Sequence, residues 1–341
     1  MLPLVPSGSR SEVKREFRIS PGKVLRTTEV FDTYWRFAFE RQEMFFKRFR
    51  DLPSPWTNDP ILRSYRFTNV YRASDRVSQY LIRRVIYEGD QSEEEIFFRT
   101  LLFKLFNRIE TWELLQESLG PISWKTFDRS RYDDVLEKSL RAGGKVYSAA
   151  YIMPCPPFGA SRKHTNHLSL LVTMMKDRVP SRVASARSLR DVFLILRSYP
   201  SIGDFLAFQF AIDLNYSRLS AFSEMDFVVA GPGAQSGIRK AFTDTAGLSE
   251  EDVIRAVAEF ADREFERLGL KFRSLWGRTL QLIDCQNLFC EVDKYARVAH
   301  PEATGAGRTR IKQRFTPIVK PMPQWYPPKW GLQLPLAQAG V

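Results

Sequence analysis

Cysteine is scarce in this sequence: Cys155, Cys285 and Cys290 are the three among 341 residues. Three thiols cannot build a disulfide framework, so a reducing cytoplasm is the expected setting. Long apolar runs are missing too. None approaches the roughly 18 residues of a membrane span, and the N-terminus has no apolar core of a signal peptide. Sustained two-residue alternation is nearly absent, which argues against a sandwich or barrel. Lys145–Met153 is the one stretch that reads as a strand. No repeat recurs at solenoid periods. A GxxxxGK[ST] phosphate loop is lacking, because Gly143-Gly144-Lys145 has no first glycine at the required distance. No GxSxG elbow supports a serine hydrolase.

What is present is basic charge, unevenly spread. The chain has 51 Lys and Arg against 39 Asp and Glu, a net +12. Residues 1–24 hold five basic and two acidic side chains, and residues 306–341 hold six basic and none acidic. Residues 25–305 keep 40 basic against 37 acidic, so the body is close to neutral. At 44% hydrophobic and 26% charged the whole chain has the composition of a folded protein. The sequence therefore divides into a basic N-terminal segment (1–24), a helical domain (25–305) and a basic, proline-rich tail (306–341). A pI near 9.7 puts nucleic acid first among partners.

The dominant period is helical, and the expected class is all-α. Phe31, Tyr34, Trp35, Ala38, Phe39, Phe45, Phe46 and Phe49 recur at spacings of three and four. Ser92 and Glu95 form a capping-box pair before Ile96, and Leu168–Met175 marks a helix closing before Pro180. Ser185 or Ser188 caps a further one. Ser249 with Asp252 opens a helix running to Gly269. Pro154–Ala160 reads as a rigid loop, and Gly231–Gly237 (GPGAQSG) as a glycine-rich turn.

The most informative stretch is LRSYPSIGDFLAFQFAIDLNY, Leu196–Tyr216, inside a predicted hairpin over 190–216. Pro200 breaks one helix, Gly203 supplies freedom for a tight turn, and a second helix begins at once. A helix–PxxG–helix connection presents main-chain amides at a helix N-terminus, where phosphate binds without a side chain. Ser201, Ile202 and Gly203 are thus the expected DNA contacts; the stretch resembles helix-hairpin-helix modules, which implies a place for a monovalent cation on the hairpin carbonyls. Asp226 follows in SEMDFVVAGPGA. This pairing resembles the helix-hairpin-helix DNA glycosylase superfamily, in which an aspartate past the hairpin faces the reacting nucleotide and stabilises an oxocarbenium-like state. The lysine that gives such enzymes lyase activity is replaced by Phe205, so the resemblance implies a monofunctional enzyme. Two cysteines after Asp226 cannot supply a four-thiolate iron–sulfur cluster.

Four segments carry a narrower resemblance: RFTNVYRASDRVSQY (Arg66–Tyr80), YPSIGDFLAFQFAIDLNY, MDFVVAGPGAQSGIRKAF and LIDCQNLFCEVDKYAR (Leu282–Arg297). Together they resemble the helical domain of the 5-hydroxymethyl-deoxyuridine DNA kinases and the alpha-glutamyl/putrescinyl thymine pyrophosphorylases. The resemblance implies a glycosylase-like fold of two helical subdomains with the site in the cleft between them. It also implies double-stranded DNA carrying modified pyrimidines as the partner.

With no phosphate loop and the aspartate in place, the favoured expectation is a monofunctional DNA glycosylase. It would flip out a hypermodified pyrimidine such as glucosylated 5-hydroxymethylcytosine and leave abasic sites in phage DNA as a defence. The alternatives are a transferase or pyrophosphorylase of hypermodified thymine synthesis, or a non-catalytic module that binds modified DNA. Asp226 is the expected catalytic carboxylate, with Asp213 as back-up. Asn69, Arg72, Asp75 and Gln79, at spacings of three, three and four, are expected on one helical face of the base pocket, with Gln286, Asn287 and Glu291 beside them. Arg162, Lys163, Arg239, Lys240, Arg308, Arg310, Lys312 and Arg314 are the expected DNA-gripping cations. His164 and His167 form HxxH beside Cys155, but further zinc ligands are lacking, and both read as surface or phosphate contacts. No cofactor, no zinc, no membrane contact and a monomer complete the expectation.

Overall fold

Pro21 and Gly22, the latter at φ +82°, reverse the chain between β1 (Arg15–Ser20) and β2 (Lys23–Thr27). Phe17 pairs with Leu25 across this hairpin, and both side chains are buried while Glu16, Arg18 and Arg26 face solvent. β3 (Phe242–Asp244) joins β2 antiparallel, giving the order β1-β2-β3. The computed structural model describes residues 15–304, 310–317 and 323–335. The described residues form two compact units. One takes in the chain up to Asp75, Val228–Gln324 and the residues from Leu332; the other takes in Arg76–Phe227 and Trp325–Gly331.

In the first unit α1 (Glu29–Phe49) follows the hairpin directly. The Thr28 hydroxyl accepts from the Val30 N–H (3.1 Å), Glu29 and Asp32 lie at the positive end, and Lys47 and Arg48 at the negative end. Phe31, Tyr34, Trp35, Ala38 and Phe45 bury the stripe that their spacing foretold. α2 (Pro60–Ser64) is short and capped by Asp59, whose carboxylate accepts from the Ile61 and Leu62 amides at 2.7 and 2.8 Å.

The second unit begins with α3 (Arg76–Tyr80), which widens into a π-helical turn over Leu81–Ile86. Then come α4 (Glu93–Phe106), α5 (Ile109–Leu119), α6 (Arg129–Arg141), α7 (Lys163–Lys176), α8 (Val179–Ala184), α9 (Leu189–Arg197) and α10 (Asp204–Asn215). α4 is buried around its whole circumference from Glu95 to Phe106 and packs on α5, α7, α8 and α10. Arg99 lies inside, donating to the carbonyls of Val85 (2.9 Å), Ile86 (3.3 Å) and Asp90 (2.8 Å), and so satisfies the end of the π turn.

The chain returns to the first unit with α11 (Pro232–Ala241), α12 (Glu250–Glu259), α13 (Ala261–Arg267) and α14 (Leu282–Ala299). α14 opens on a reciprocal cap between Gln281 and Asp284, and α11 packs closely along it. A methyl group on Gly237 would stand 2.1 Å from the Phe289 carbonyl oxygen, and one on Gly233 would stand 2.3 Å from the Cys290 sulfur. Only hydrogen fits there.

Several expectations are corrected by this architecture. The chain is mostly helical, but its strands lie at 15–27 and 242–244, and residue 24, where the charge composition changes, sits inside β2. Lys145–Met153 is not a strand. Its main chain bonds to helix ends instead, with Ser148 N–H on the Phe106 carbonyl and the Val146 carbonyl taking the Thr111 hydroxyl. Gly231–Gly237 is no turn but the start of α11, its glycines serving the approach to α14. Ser92 is an N-cap without a side-chain bond, because Glu95 is drawn inward to Ser123, the Trp124 and Lys125 amides and Arg99. The helix opened by Ser249 breaks at Phe260 (φ −101°, ψ 15°) into α12 and α13.

Candidate nucleic-acid interface

In the second unit α9 and α10 form the expected hairpin. Ser188 caps α9 by accepting from the Asp191 N–H (3.0 Å), and Tyr199 and Ile202 bury their side chains in the connection. The freedom attributed to Gly203 lies elsewhere. Ser201 takes the left-handed conformation at φ +64°, whereas Gly203 is extended at φ −78° and serves as N-cap of α10. The Ser201 hydroxyl donates to the Cys155 carbonyl (3.1 Å), tying the Pro154–Ala160 loop to the hairpin. Arg197–Gly203 and Pro154 line an open depression of about 580 Å³. Asp204, in the first turn of α10, pairs with Arg197 across the connection. The helix end therefore carries its own anion, balanced by a cation one hairpin arm away.

Asp226 lies outside any helix, on a turn closed by its N–H on the Ser223 carbonyl (3.2 Å), and it is exposed. Its neighbour Phe227 sets its place: that ring packs on Phe193 of α9 (5.0 Å) and Phe208 of α10 (5.9 Å). Asp226 is thus anchored beside the hairpin helices. Asp213 is fully buried in α10, 3.1 Å from the Lys104 ammonium, which also donates to Asn107 (2.8 Å). The back-up carboxylate is a structural partner. At the start of α7, Arg162 pairs with Glu137 (2.8 Å) and Lys163 lies over the Tyr147 ring (4.4 Å).

His164 and His167 are not surface residues as expected; both are buried. His167 Nε2 lies 2.9 Å from the Pro154 carbonyl and its Nδ1 2.7 Å from the Tyr147 hydroxyl. A carbonyl only accepts, so Nε2 carries the proton and Nδ1 accepts from the phenol. Burial pushes this imidazole down to about 4, so it is neutral at pH 7. His164 Nε2 faces Asp133 at 3.2 Å.

The proposed base-reading residues do not share a helical face. Asn69 is in a loop, Arg72 in a 3-10 turn over Arg72–Ser74, Asp75 caps that turn, and Gln79 lies in α3 of the other unit. The reason is local. The Asp75 carboxylate accepts from the Asn69 N–H (2.8 Å) and the Asn69 amide donates to the Ser74 carbonyl (2.7 Å), closing a loop where a helix would have left both groups to solvent. Asn69, Arg72, Asp75 and Glu291 do meet in the first unit. Arg41 donates to Asn69 Oδ1 (2.9 Å), Glu291 accepts from the Thr68 N–H (2.9 Å) and Lys294 (2.7 Å), and Asp284 accepts from the Arg72 N–H (2.9 Å). Burial, reinforced by the Glu291 charge, pushes the Asp75 carboxyl up to about 7. Burial likewise lowers Arg41. Gln286 is buried on α14, Asn287 half-buried, and Gln79 accepts the Trp325 N–H (2.7 Å).

Of the gripping cations, Arg239 is exposed, but Lys240 is committed to Asp293 (2.9 Å). Arg308 lies outside the described residues. Arg310 and Lys312 are exposed. Arg314 forms a β-bridge with Tyr65 and lies 4.8 Å over its ring, so this part of the tail is draped along the first unit. Arg41, Arg99 and Lys104 escaped notice as organising residues. Their signal was a charge set in an apolar run, plainest in FFRTLLFKLF.

The family described as 5-hmdU DNA kinase, helical domain, matches over residues 28–305. A 5-hmdU DNA kinase of Bacillus phage SP10 is 28% identical over 301 residues, covering 80% of this chain and 46% of the phage protein. The chain thus spans about half the length of that curated relative. No solved structure matches. These matches overturn the excision reading, together with its base flipping, hydrolase chemistry and defence role. A kinase adds phosphate to a hydroxyl and leaves the base–sugar bond intact. They do not support the pyrophosphorylase or passive-module alternatives either. The expectation of no cofactor is corrected on the same ground: the phage relative is a kinase, and kinases draw on a nucleoside triphosphate with magnesium. By match over most of its length, the chain belongs to the family of the 5-hmdU DNA kinase helical domain.

Proposed function

We propose that this chain is the DNA-engaging helical domain of a kinase that phosphorylates 5-hydroxymethyl-deoxyuridine in DNA. The observation that carries the reading is the family match across residues 28–305. Support comes from the α9–α10 hairpin, read as a glycosylase-like DNA grip with Ser201–Gly203 at its tip and Arg197 lining the same depression. Asp226 is the carboxylate assigned to the acceptor. It is exposed beside the hairpin, and an acceptor hydroxyl asks for such a group to orient it and take its proton. Residues 25–305 form the working body in this reading, and the basic flanks add salt-sensitive attraction to DNA.

The residues present do not fit a magnesium–nucleotide site of the phosphate-loop kind. The 341 residues hold no GxxxxGK[ST] motif, and among the described residues no three His, Cys, Asp or Glu side chains are grouped to hold a metal. The phosphoryl donor is therefore assigned to a nucleotide-binding part outside these 341 residues, whether of the same or another polypeptide. The test is binding to two duplexes that differ only in 5-hydroxymethyl-deoxyuridine against thymidine. Nucleoside mass analysis follows after adding ATP, magnesium and a phosphate-loop polypeptide. Tighter binding to the modified duplex and one phosphate gained per modified base, both weakened by Asp226→Asn, are expected. Equal affinity for the two duplexes refutes the assignment.

A further inference from the structure

Beyond α10 the chain closes a small ring. Asn215, buried at the helix end, reaches forward. Its Oδ1 accepts from the Phe222 N–H (2.9 Å) and the Ser220 hydroxyl (3.2 Å), and its Nδ2 donates to the Phe222 carbonyl (2.9 Å). Ser217, also buried, donates to the Leu214 carbonyl (2.6 Å) and accepts from the Leu219 N–H (3.0 Å). These bonds, together with the Tyr87 hydroxyl donating to the Tyr216 carbonyl (3.1 Å), hold residues 215–222 in place. They also aim three main-chain oxygens, those of Asn215, Ser217 and Ser220, at one point. The Lys329 ammonium sits there, at 2.5, 2.8 and 2.6 Å.

Such a ring has a definite chemical preference. Carbonyl oxygens at the C-terminal end of a helix carry partial negative charge. Without a carboxylate of its own, the ring does not meet the demand of calcium or magnesium for several hard anionic ligands. Carbonyl dipoles do replace the hydration shell of potassium, and ammonium is close to potassium in size. Lys329 is exposed as a residue, whereas Asn215, Ser217 and Ser220, which supply the carbonyls, are buried.

We propose that the 215–222 loop is a monovalent-cation site of the potassium and ammonium class, filled in this chain by Lys329 as a tethered ammonium. Withdrawing the lysine hands the ring to a free ion; while the Trp325–Gly331 segment is docked, the tethered ammonium keeps solvent potassium out.

The test is chemical rescue of Lys329→Met. Thermal melts are recorded in potassium, ammonium and choline chloride at equal ionic strength. The variant is expected to melt several degrees below wild type in choline, and to recover saturably in potassium or ammonium, while wild type stays the same in all three. Lys125→Met, which removes an exposed lysine paired with Asp90, serves as the control and shows no such dependence. If Lys329→Met does not fold in choline, refolding into potassium or ammonium chloride is scored instead, and absence of rescue overturns the proposal. Identical melts of the variant in all three salts, or equal rescue of the control, also overturn it.

Discussion

A carboxyl that meets burial and a second carboxylate at once holds its proton, and Asp75 beside Glu291 is in that position. Its folded value of about 7 lies above the ordinary 3.8, so the folded state binds more protons than the unfolded state between these values. The neutral carboxyl therefore contributes stability fully below about pH 4, and that contribution is lost as pH rises through 7. Asp75→Asn keeps an acceptor for the Asn69 N–H and removes the titration. Its stability should be flatter from pH 5 to 8 than wild type, by up to about 2 kcal/mol in urea melts. Parallel profiles would discard this account. The Lys104–Asp213 pair predicts the opposite kind of effect. Asp213→Asn leaves a buried ammonium without its counter-charge and should cost about 3–5 kcal/mol. The double variant Lys104→Met, Asp213→Leu should recover much of that loss; a double variant as unstable as the single one would count against a desolvation origin.

Among the helices, two glycines make contrasting demands. Gly237→Ala pushes a methyl group into the Phe289 carbonyl, which the α14 backbone cannot move aside, and should destabilise by about 2–3 kcal/mol. Gly203→Ala meets nothing within 4 Å at an ordinary φ and should shift stability by no more than about 0.5 kcal/mol. If the hairpin grips DNA through its backbone, the second variant loses affinity with its melting temperature unchanged. Retained affinity would place the grip elsewhere. These positions also mark what could be read from the chain. α1, α7 and α9 were legible because one face of each is apolar at helical spacing, and α10, buried on all sides from Leu206, because Pro200 and Gly203 mark its start. GPGAQSG was misread because glycine spaced by four signals either a turn or a close helix crossing, and the Phe289 backbone that decides between them lies fifty residues away. The Asn69–Asp75 loop was missed since its side chains bond locally to the main chain. The excision reading failed differently: a hairpin and a trailing aspartate describe a way of meeting DNA, not which bond is changed.

Across the whole molecule, if the proposed DNA engagement holds, the net +12 predicts an affinity that falls linearly on logarithmic axes as salt rises. The tail, however, is more than a charged flank. Tyr326 and Gln324 are buried, Trp325 packs on Tyr87 (4.7 Å) and donates to Gln79, and Trp330 packs on Tyr216 (5.7 Å). Removing residues 323–341 should lower the melting temperature by on the order of 5–10 °C and open residues 76–227 to protease. A truncated chain that melts like wild type would return the tail to a purely electrostatic role. This clasp also has a consequence in time. The second unit takes its last seven residues, Trp325–Gly331, from beyond the whole of Val228–Gln324. On a ribosome adding about 5–20 residues per second, that gap is a wait of roughly 5–20 s. During it the nascent unit shows Tyr87, Tyr216 and an unfilled ring of carbonyls to whatever is nearby, which makes this interval the natural point for chaperone capture, or for a cytosolic ion to hold the ring until its lysine is made.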